Sequence, residues 1–419
     1  MRKSIMVVIL WMCLPTILFA QEFWETLNTP DTARIHCIEV TSQDNIFIGT
    51  GYNNMYGGIY RSCDYGVLWE CVFDAGFHGV LNISSDDQEM LYMSKTGFDN
   101  FYISSDNGNS WIQKIIPTQY NGWISEILAC DNGVVYLGVV NNENIPFLIK
   151  GYSYGDIWDS IASFPEYSSS KITSISVYEN NTLIIGIDGF TEESGGVMVS
   201  ENGGLEWEFI GLENQMIEKV IFNSAGDIYA CSWGTLIPEI SSGLFVKRQN
   251  SDNWEQLIYG TQVSDIIIYD SLMFCSCASP NGIALSSNGH NFEIIENSNP
   301  GFGLKDLDVD HNGYLYVSSA YASNYIGRSI NSIVVNIDLI TQSNFIVYPN
   351  PVSSMEPIIK LKGETPLEYK LYDINGTILK TGNLSGLEVS IDISEFKSRV
   401  FFLELSSLKE TKIIKIIKT

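Results

Sequence analysis

Positive charge is what this chain has least of. Its 419 residues hold 23 Lys and Arg against 49 Asp and Glu, a formal net charge of −26. That excludes nucleic acid or an anionic membrane as partner, since both are gripped by clustered Lys and Arg. Histidine is scarcer still. The four residues His36, His78, His290 and His311 show no metal-ligand spacing, and the acidic turn around His311 (Asp308, Asp310, Asn312) reads as a hairpin turn rather than a calcium loop. A Gly-x-Ser-x-Gly elbow, a phosphate loop and a dinucleotide fingerprint are all missing, so neither cofactor nor metal is expected. Beyond the first twenty residues no apolar run is long enough to span a membrane.

Cysteine is present without a framework. After residue 20 the seven are Cys37, Cys63, Cys71, Cys130, Cys231, Cys275 and Cys277, an odd count with irregular spacing. Cys63 and Cys71 flank one predicted hairpin and could bridge it. Most of the others read as small buried hydrophobes.

What is there suffices for a large core: 45% hydrophobic and 12% aromatic residues. Residues 1–20 read as a signal peptide, with Arg2 and Lys3 before an apolar stretch over 5–19 and cleavage after Ala20. Residues 21–345 carry 11 bases and 40 acids, whereas 346–419 carry ten bases and nine acids. The shift marks a domain boundary near 340–350.

Self-similarity dominates the acidic body. RSCDYGVLW sets Ser62, Asp64, Gly66 and Trp69 at the same spacing as Ser104, Asp106, Gly108 and Trp111 in SSDNGNSW. Decayed copies keep an aromatic at 158, 207, 254 and 292, at intervals of 38–49 residues. Before each box comes an alternating apolar strand, a polar turn and a β-branched or aromatic strand, and seven such pairs can be counted. A period of this length with short strands indicates a propeller. Each box leads into an outer strand, except after the seventh pair. The segment FWETLNT at 23–29 matches that outer strand, with Trp24 as its anchor. The chain therefore reads as all-β, with a seven-bladed β-propeller over 21–340 closed by its own amino terminus. Six blades with an odd tail is the alternative.

These boxes resemble the Asp-box, or BNR, repeats of sialidases, sortilin-type receptors and secreted bacterial propellers. The resemblance implies a local role: Ser and Asp bond turn amides, Gly permits the backbone, and Trp packs between sheets. Ser62, Asp64, Gly66, Trp69, Ser104, Asp106, Gly108 and Trp111 are expected to be structural, on turns opposite the ligand face.

The tail begins NFIVYPNPVSS and continues through Tyr372-Asp373-x-Asn375-Gly376, VFFLEL and a closing Lys-Ile-Ile-Lys. Its short strands and Asn-Gly turns suggest a small Ig-like β-sandwich over 344–419. It closely resembles the type A sorting domain of the Bacteroidetes type IX secretion system. Arg399 and Phe401 stand where that family has a different pattern before its Tyr strand. The resemblance implies passage through the periplasm, handling by the type IX machinery, and a secreted or outer-membrane-surface destination.

Catalysis has little support in the residues. Sialidase chemistry needs three arginines, and the body offers only Arg34, Arg61, Arg248 and Arg328 in unsuitable contexts. Another glycosidase would need two carboxylates about 5–10 Å apart over a cleft. The face-forming loops carry Asp74, Asp99, Glu143, Asp188, Glu192, Glu193, Glu213 and Glu239, with no pair singled out. The same loops carry aromatics suited to sugar rings or peptide segments: Tyr52, Tyr56, Tyr120, Trp123, Phe190, Trp233, Tyr321 and Tyr325. The expectation is an exported propeller that binds a glycan or protein without catalysis. A carbohydrate-active hydrolase or lyase on the same scaffold is the alternative. Two close channel carboxylates with raised pKa values would favour the alternative.

Overall fold

Apolar–polar alternation along this chain breaks every few residues at Gly-, Asn- or Asp-bearing turns, and the runs between breaks form strands. The computed structural model describes residues 23–333 apart from 30–33, 52–55, 98–100, 121, 180, 189–194, 235–241, 279, 296 and 320–324. Further on it describes 346–348, 358–362, 367–373, 377–384, 388–394, 396, 400–406 and 411–417. The proposed signal peptide lies outside these residues. The chain divides into two compact units, Met1–Ile330 and Asn331–Thr419.

The first unit contains seven four-stranded antiparallel sheets among the described residues. Six are simple meanders, as in Ile35–Val40, Ile46–Thr50, Gly57–Ser62 and Glu70–Gly76. The seventh takes its outer strand from the other end of the chain: Trp24–Thr26 pairs with Ile326–Ser329, Trp24 opposite Ser329. Trp24 is 7% exposed and its Nε1 donates to the Ser298 carbonyl at 2.6 Å. Arg328 secures the same seam, pairing with Glu25 at 2.9 Å and lying 3.8 Å from the Tyr314 ring centroid.

Apolar faces of neighbouring sheets interlock. Phe47 and Ile59 of the first sheet meet Val80, Leu91 and Met93 of the second in one buried cluster. Each such side chain contributes about 1.5–3 kcal/mol through burial. The turns into the outer strands are locked by short side chains. Ser62 Oγ donates to Asp64 Oδ1 at 2.9 Å and accepts the Gly66 amide at 2.8 Å, while Asp64 Oδ1 accepts the Leu68 amide at 2.8 Å. Ser104, Asp106, Gly108 and Ser110 repeat this pattern. Gly66 sits at φ +88°, and a Cβ there would come within 2.4 Å of Leu27.

The innermost strand of every sheet is an edge, and two devices govern it. The first is a bulge. Register shifts between Ile35 and Cys37, Val80 and Asn82, Ile124 and Glu126, Ile172 and Ser174, Ile217 and Lys219, Val263 and Asp265, and Leu304 and Leu307. A bulge leaves a residue unpaired and re-aims its neighbours. The second, seen at five of the seven inner strands among the described residues, is capping of edge amides by the preceding sheet. Asp306 Oδ2 accepts the Ile38 amide at 3.2 Å, and Asp308 Oδ2 the Val40 amide at 2.7 Å. Glu39 Oε1 takes the Ser85 amide at 2.7 Å, Ser84 Oγ the Ala129 amide at 3.1 Å. Ser174 Oγ takes the Val220 amide at 3.0 Å, and Asp265 Oδ2 the Leu307 amide at 2.9 Å. Amides that a sheet edge would leave bare are thereby satisfied.

The second unit holds two sheets. Ile346–Tyr348, Ile358–Lys362 and Glu388–Asp392 form one, and Ile378–Leu384, Leu367–Tyr372, Val400–Ser406 and Thr411–Ile417 the other. Leu371, Ile391, Phe401 and Leu403 are buried in it. Cys37, Cys231, Cys275 and Cys277 are buried, whereas Cys63 and Cys71 are exposed and unbridged.

Asp308 Oδ2 holds the Val40 amide at 2.7 Å, and burial with the nearby Glu39 raises its carboxyl well above the usual range. Asp308→Ala should therefore cost about 1–3 kcal/mol of stability by leaving the Val40 amide unmet, while the isosteric Asp308→Asn keeps most of it. Urea denaturation of both variants checks this. Equal losses would contradict the capping role.

Candidate functional site

The repeated bulge builds a cavity of about 620 Å³ in the first unit. His36, Leu81, Ser125, Thr173, Glu218, Ser264 and Lys305, one from each inner strand at its register shift, all line it. Beside them stand Cys37, Asn82, Glu126, Lys219, Asp265 and Asp306, and Trp123 and Lys171 at strand ends. Register places this lining at one end of the strands. In the first sheet Ile35 faces Thr50, next to the lining residues, while Val40, Ile46 and Ser62 mark the other end, where the Ser62–Trp69 turn lies.

The lining is rich in charge. Lys219 Nζ lies 3.9 Å from Asp265 Oδ1, and Lys171 Nζ lies 3.9 Å from Asp188 Oδ2. Burial pushes the Glu126 carboxyl up to about 8; Lys219 partly offsets this, while Asp306 and Asp265 add to it. Burial raises Asp265 to about 6 against the pull of Lys219, and Glu39 to about 7 against its bonds to Ser85. Asp306 and Glu218 are raised by burial too, with Lys305 opposing. Asp265 holds the Lys219 ammonium above its ordinary value. Burial, Lys305 and Arg34 push His36 down to about 4, so it is neutral. At pH 7 the cavity thus offers an ammonium, a carboxylate and a protonated carboxyl side by side. Among the described residues the Glu126 and Glu218 side chains make no hydrogen bond, unlike the capping carboxyls. No group of three or more His, Cys, Asp or Glu among them is arranged to hold a metal ion.

Of the aromatics expected on this face, Trp123 lines the cavity. Trp233 stands one step behind, its Nε1 donating to Ser264 Oγ at 2.8 Å. Tyr120 is 8% exposed, packed with Ile116 and Ile124. Tyr325 packs edge-on against Phe302, ring centroids 4.6 Å apart. Tyr56 is 60% exposed and forms a surface pair with Phe77 at 4.4 Å. Tyr52, Phe190 and Tyr321 lie outside the described residues, as do Asp99, Glu192, Glu193 and Glu239. Asp188 is the face-loop acid that reaches a cavity lysine. On the turns, bonds from the Leu68 amide and from Ser110 hold Asp64 and Asp106 below the usual carboxylate range.

Sequence reasoning passed over Glu39, Glu126, Lys219, Asp265 and Asp306, and it set Asp308 in a turn, whereas Asp308 lies within strand Leu304–Val309 and accepts the Val40 amide. The signal that could have found them is positional. In aligned copies such as ISEIL, IEKVI, VSDII and LKDLDV a charge recurs one or two residues after the first apolar residue of the inner strand, and IHCIEV and LKDLDV share an acid at the fifth position.

Residues 346–419 match the family model of the secretion system C-terminal sorting domain. No curated protein matches the chain by sequence. Among solved structures it is similar to YCF48 bound to D1 peptide, at 13% identity and TM-score 0.57, over 75% of this chain and 99% of that one. It is also similar to virginiamycin B lyase from Staphylococcus aureus, at 10% identity and TM-score 0.57, over 74% and 99%. A third is the extracellular domain of the hybrid two component system BT3049 from B. thetaiotaomicron, at 12% identity and TM-score 0.54. There the match covers 95% of this chain and 58% of that one. These neighbours are β-propellers, and at such identity the likeness carries the fold alone. No helix among the described residues is long and apolar enough to cross a membrane. The chain thus joins a β-propeller to a type IX sorting tail that addresses it for export.

A carboxyl with a raised folded pKa binds its proton more tightly folded than unfolded. Its stabilising contribution is full below about 4.5, the unfolded value, and is lost as pH rises through about 8 for Glu126. The melting temperature should therefore fall between pH 5 and pH 8, with a shallower fall in Glu126→Gln. A scanning-calorimetry series checks it, and a rising trend would contradict the assignment.

Proposed function

We propose that this chain is an exported seven-bladed β-propeller, spanning 21–340, that binds a glycan or protein ligand in its axial cavity without catalysis. Seven four-stranded sheets, the last completed by Trp24–Thr26, support the blade count. The Ser62–Trp69 and Ser104–Trp111 turns then act as BNR-type locks rather than as chemistry. Residues 344–419 form the Ig-like sandwich handed to the type IX machinery after removal of 1–20, giving a secreted or surface-held product.

One observation carries the binding reading: every inner strand bulges at the same place and sends a side chain into one cavity. At about 620 Å³ it falls within the range of ligand pockets, roughly 300–1,000 Å³. A second reading, a carbohydrate-active hydrolase or lyase, is favoured by the protonated Glu126 beside Asp265 and Asp306. Against it, Asp265 and Asp306 each commit an oxygen to a backbone amide of the next sheet, which restrains them as base or nucleophile.

The test is a panel of immobilised glycans and peptides, scored for retention and for cleavage products. Retention without products is expected, weakened about tenfold in Trp123→Ala by loss of the aromatic wall. New reducing ends or shortened chains that vanish in Glu126→Gln would replace binding by catalysis.

A further inference from the structure

The axial ring has more acid than its bases can match. Lys171 is engaged with Asp188 and Lys219 with Asp265, each at 3.9 Å, and Lys305 faces Asp306 and His36. Glu39 and Asp308 are held by edge amides. Two lining acids, Glu126 and Glu218, are left with neither a side-chain hydrogen bond nor an ion pair among the described residues, and of the two Glu126 shares its strand with the lining aromatic Trp123. Like charges crowded in low dielectric cannot all ionise, so the ring keeps protons where a cation is missing.

What would supply that cation is constrained by the rest of the lining. A metal ion is disfavoured, because no three ligating groups converge among the described residues. Trp123, from the same strand as Glu126, adds an aromatic wall, and a carboxylate beside an aromatic face suits an ammonium. Around them stand Asn82, Ser125, Thr173 and Ser264, with Leu81 as the aliphatic contribution. Asn82 Nδ2, Thr173 Oγ1 and Ser264 Oγ already donate to Ser94, Ile217 and Leu304, so these residues offer acceptor oxygens, which the hydroxyl donors of a polyhydroxylated ligand match better than an apolar peptide side chain does.

Resting on the cavity-binding reading above, we propose that the ligand is an amino sugar whose free primary ammonium docks against Glu126 and Trp123. On docking, the Glu126 carboxyl releases its proton to solvent and the ammonium keeps its own, so charge balances. The titratable groups that share the cavity with Glu126 are His36 and Cys37 on the first inner strand, Lys171 on the fourth, Glu218 and Lys219 on the fifth, Asp265 on the sixth, and Lys305 and Asp306 on the seventh. The second contributes Asn82, which does not titrate. Acetylating the amine removes the charge and leaves a bulky amide against a carboxyl that stays protonated.

Calorimetric titration of the intact exported protein tests this with three probes: a β-1,4-linked glucosamine tetramer, its fully N-acetylated counterpart, and tetralysine. The free-amine sugar should bind at least about tenfold more tightly than the acetylated one. Compared across buffers of different ionisation heat, wild type should release up to about one more proton than Glu126→Gln. Equal or tighter binding of the acetylated tetramer overturns the inference, and so does an identical proton count in the two proteins. Binding of tetralysine in preference to both sugars would replace the amino sugar by a peptide cation. If none of the three binds but another glycan or peptide binds in a Trp123-dependent manner, this inference falls and the cavity reading stands. Silence from every probe would sink both.

Discussion

The bare amide edge of the innermost strand is the constraint on which the rest of this propeller depends. A ring of sheets around an axis leaves each inner strand with a row of N–H groups and no further strand to meet them. Here side chains of one sheet meet the amides of the next, Asp306 and Asp308 at Ile38 and Val40, Glu39 at Ser85, Asp265 at Leu307. Hydrophobic packing between sheets is non-directional and would tolerate sliding. A carboxyl oxygen on a particular amide fixes how far one sheet is advanced against its neighbour. The seam between the first and last sheets has the same device plus the Trp24 strand, so the closing interface is held from the axis to the rim.

That solution has a chemical by-product. Acceptors that cap amides must sit on the inner strand, facing the axis, and several of them are carboxyls. Concentrated there and outnumbering the ammoniums of Lys171, Lys219 and Lys305, they have their proton affinity raised first by burial and then by one another. The bulges then turn neighbouring residues into the same space. Architecture and site are thus one arrangement seen twice. The capping bonds keep several of the acids fixed, and Glu126 and Glu218 line the cavity without a side-chain hydrogen bond or ion pair among the described residues.

The repeat was legible in the sequence because its parts are local. Ser, Asp, Gly and Trp at a constant spacing act within one turn, and Trp24 stands out because WETLNT repeats the outer-strand pattern. The sorting tail was legible for the same reason, its motifs being short and contiguous. The site was far less so. Aromatic loops attracted attention because exposed rings often mark ligands, yet Tyr120 and Tyr325 pack inward and Tyr56 pairs with Phe77 on the surface. Trp123 reaches the cavity because it opens an inner strand. The carboxyls were hidden by their setting: Glu39, Asp265 and Asp308 lie inside apolar-looking strands, where a lone charge resembles a solvated face. Their purpose involves an amide some 40 to 270 positions away, such as Leu307 for Asp265 or Val40 for Asp308, and no window along the chain contains both.

The direct test is residue-resolved amide hydrogen exchange on the folded protein. If side chains of the preceding sheet cap the inner edge at these five junctions, the amides of Ile38, Val40, Ser85, Ala129, Val220 and Leu307 should exchange as slowly as paired amides in sheet interiors, such as Ile48. Exchange at the rate of open, solvent-facing edges would contradict the account, leaving the ring held by packing alone and the axial carboxyls without a structural role.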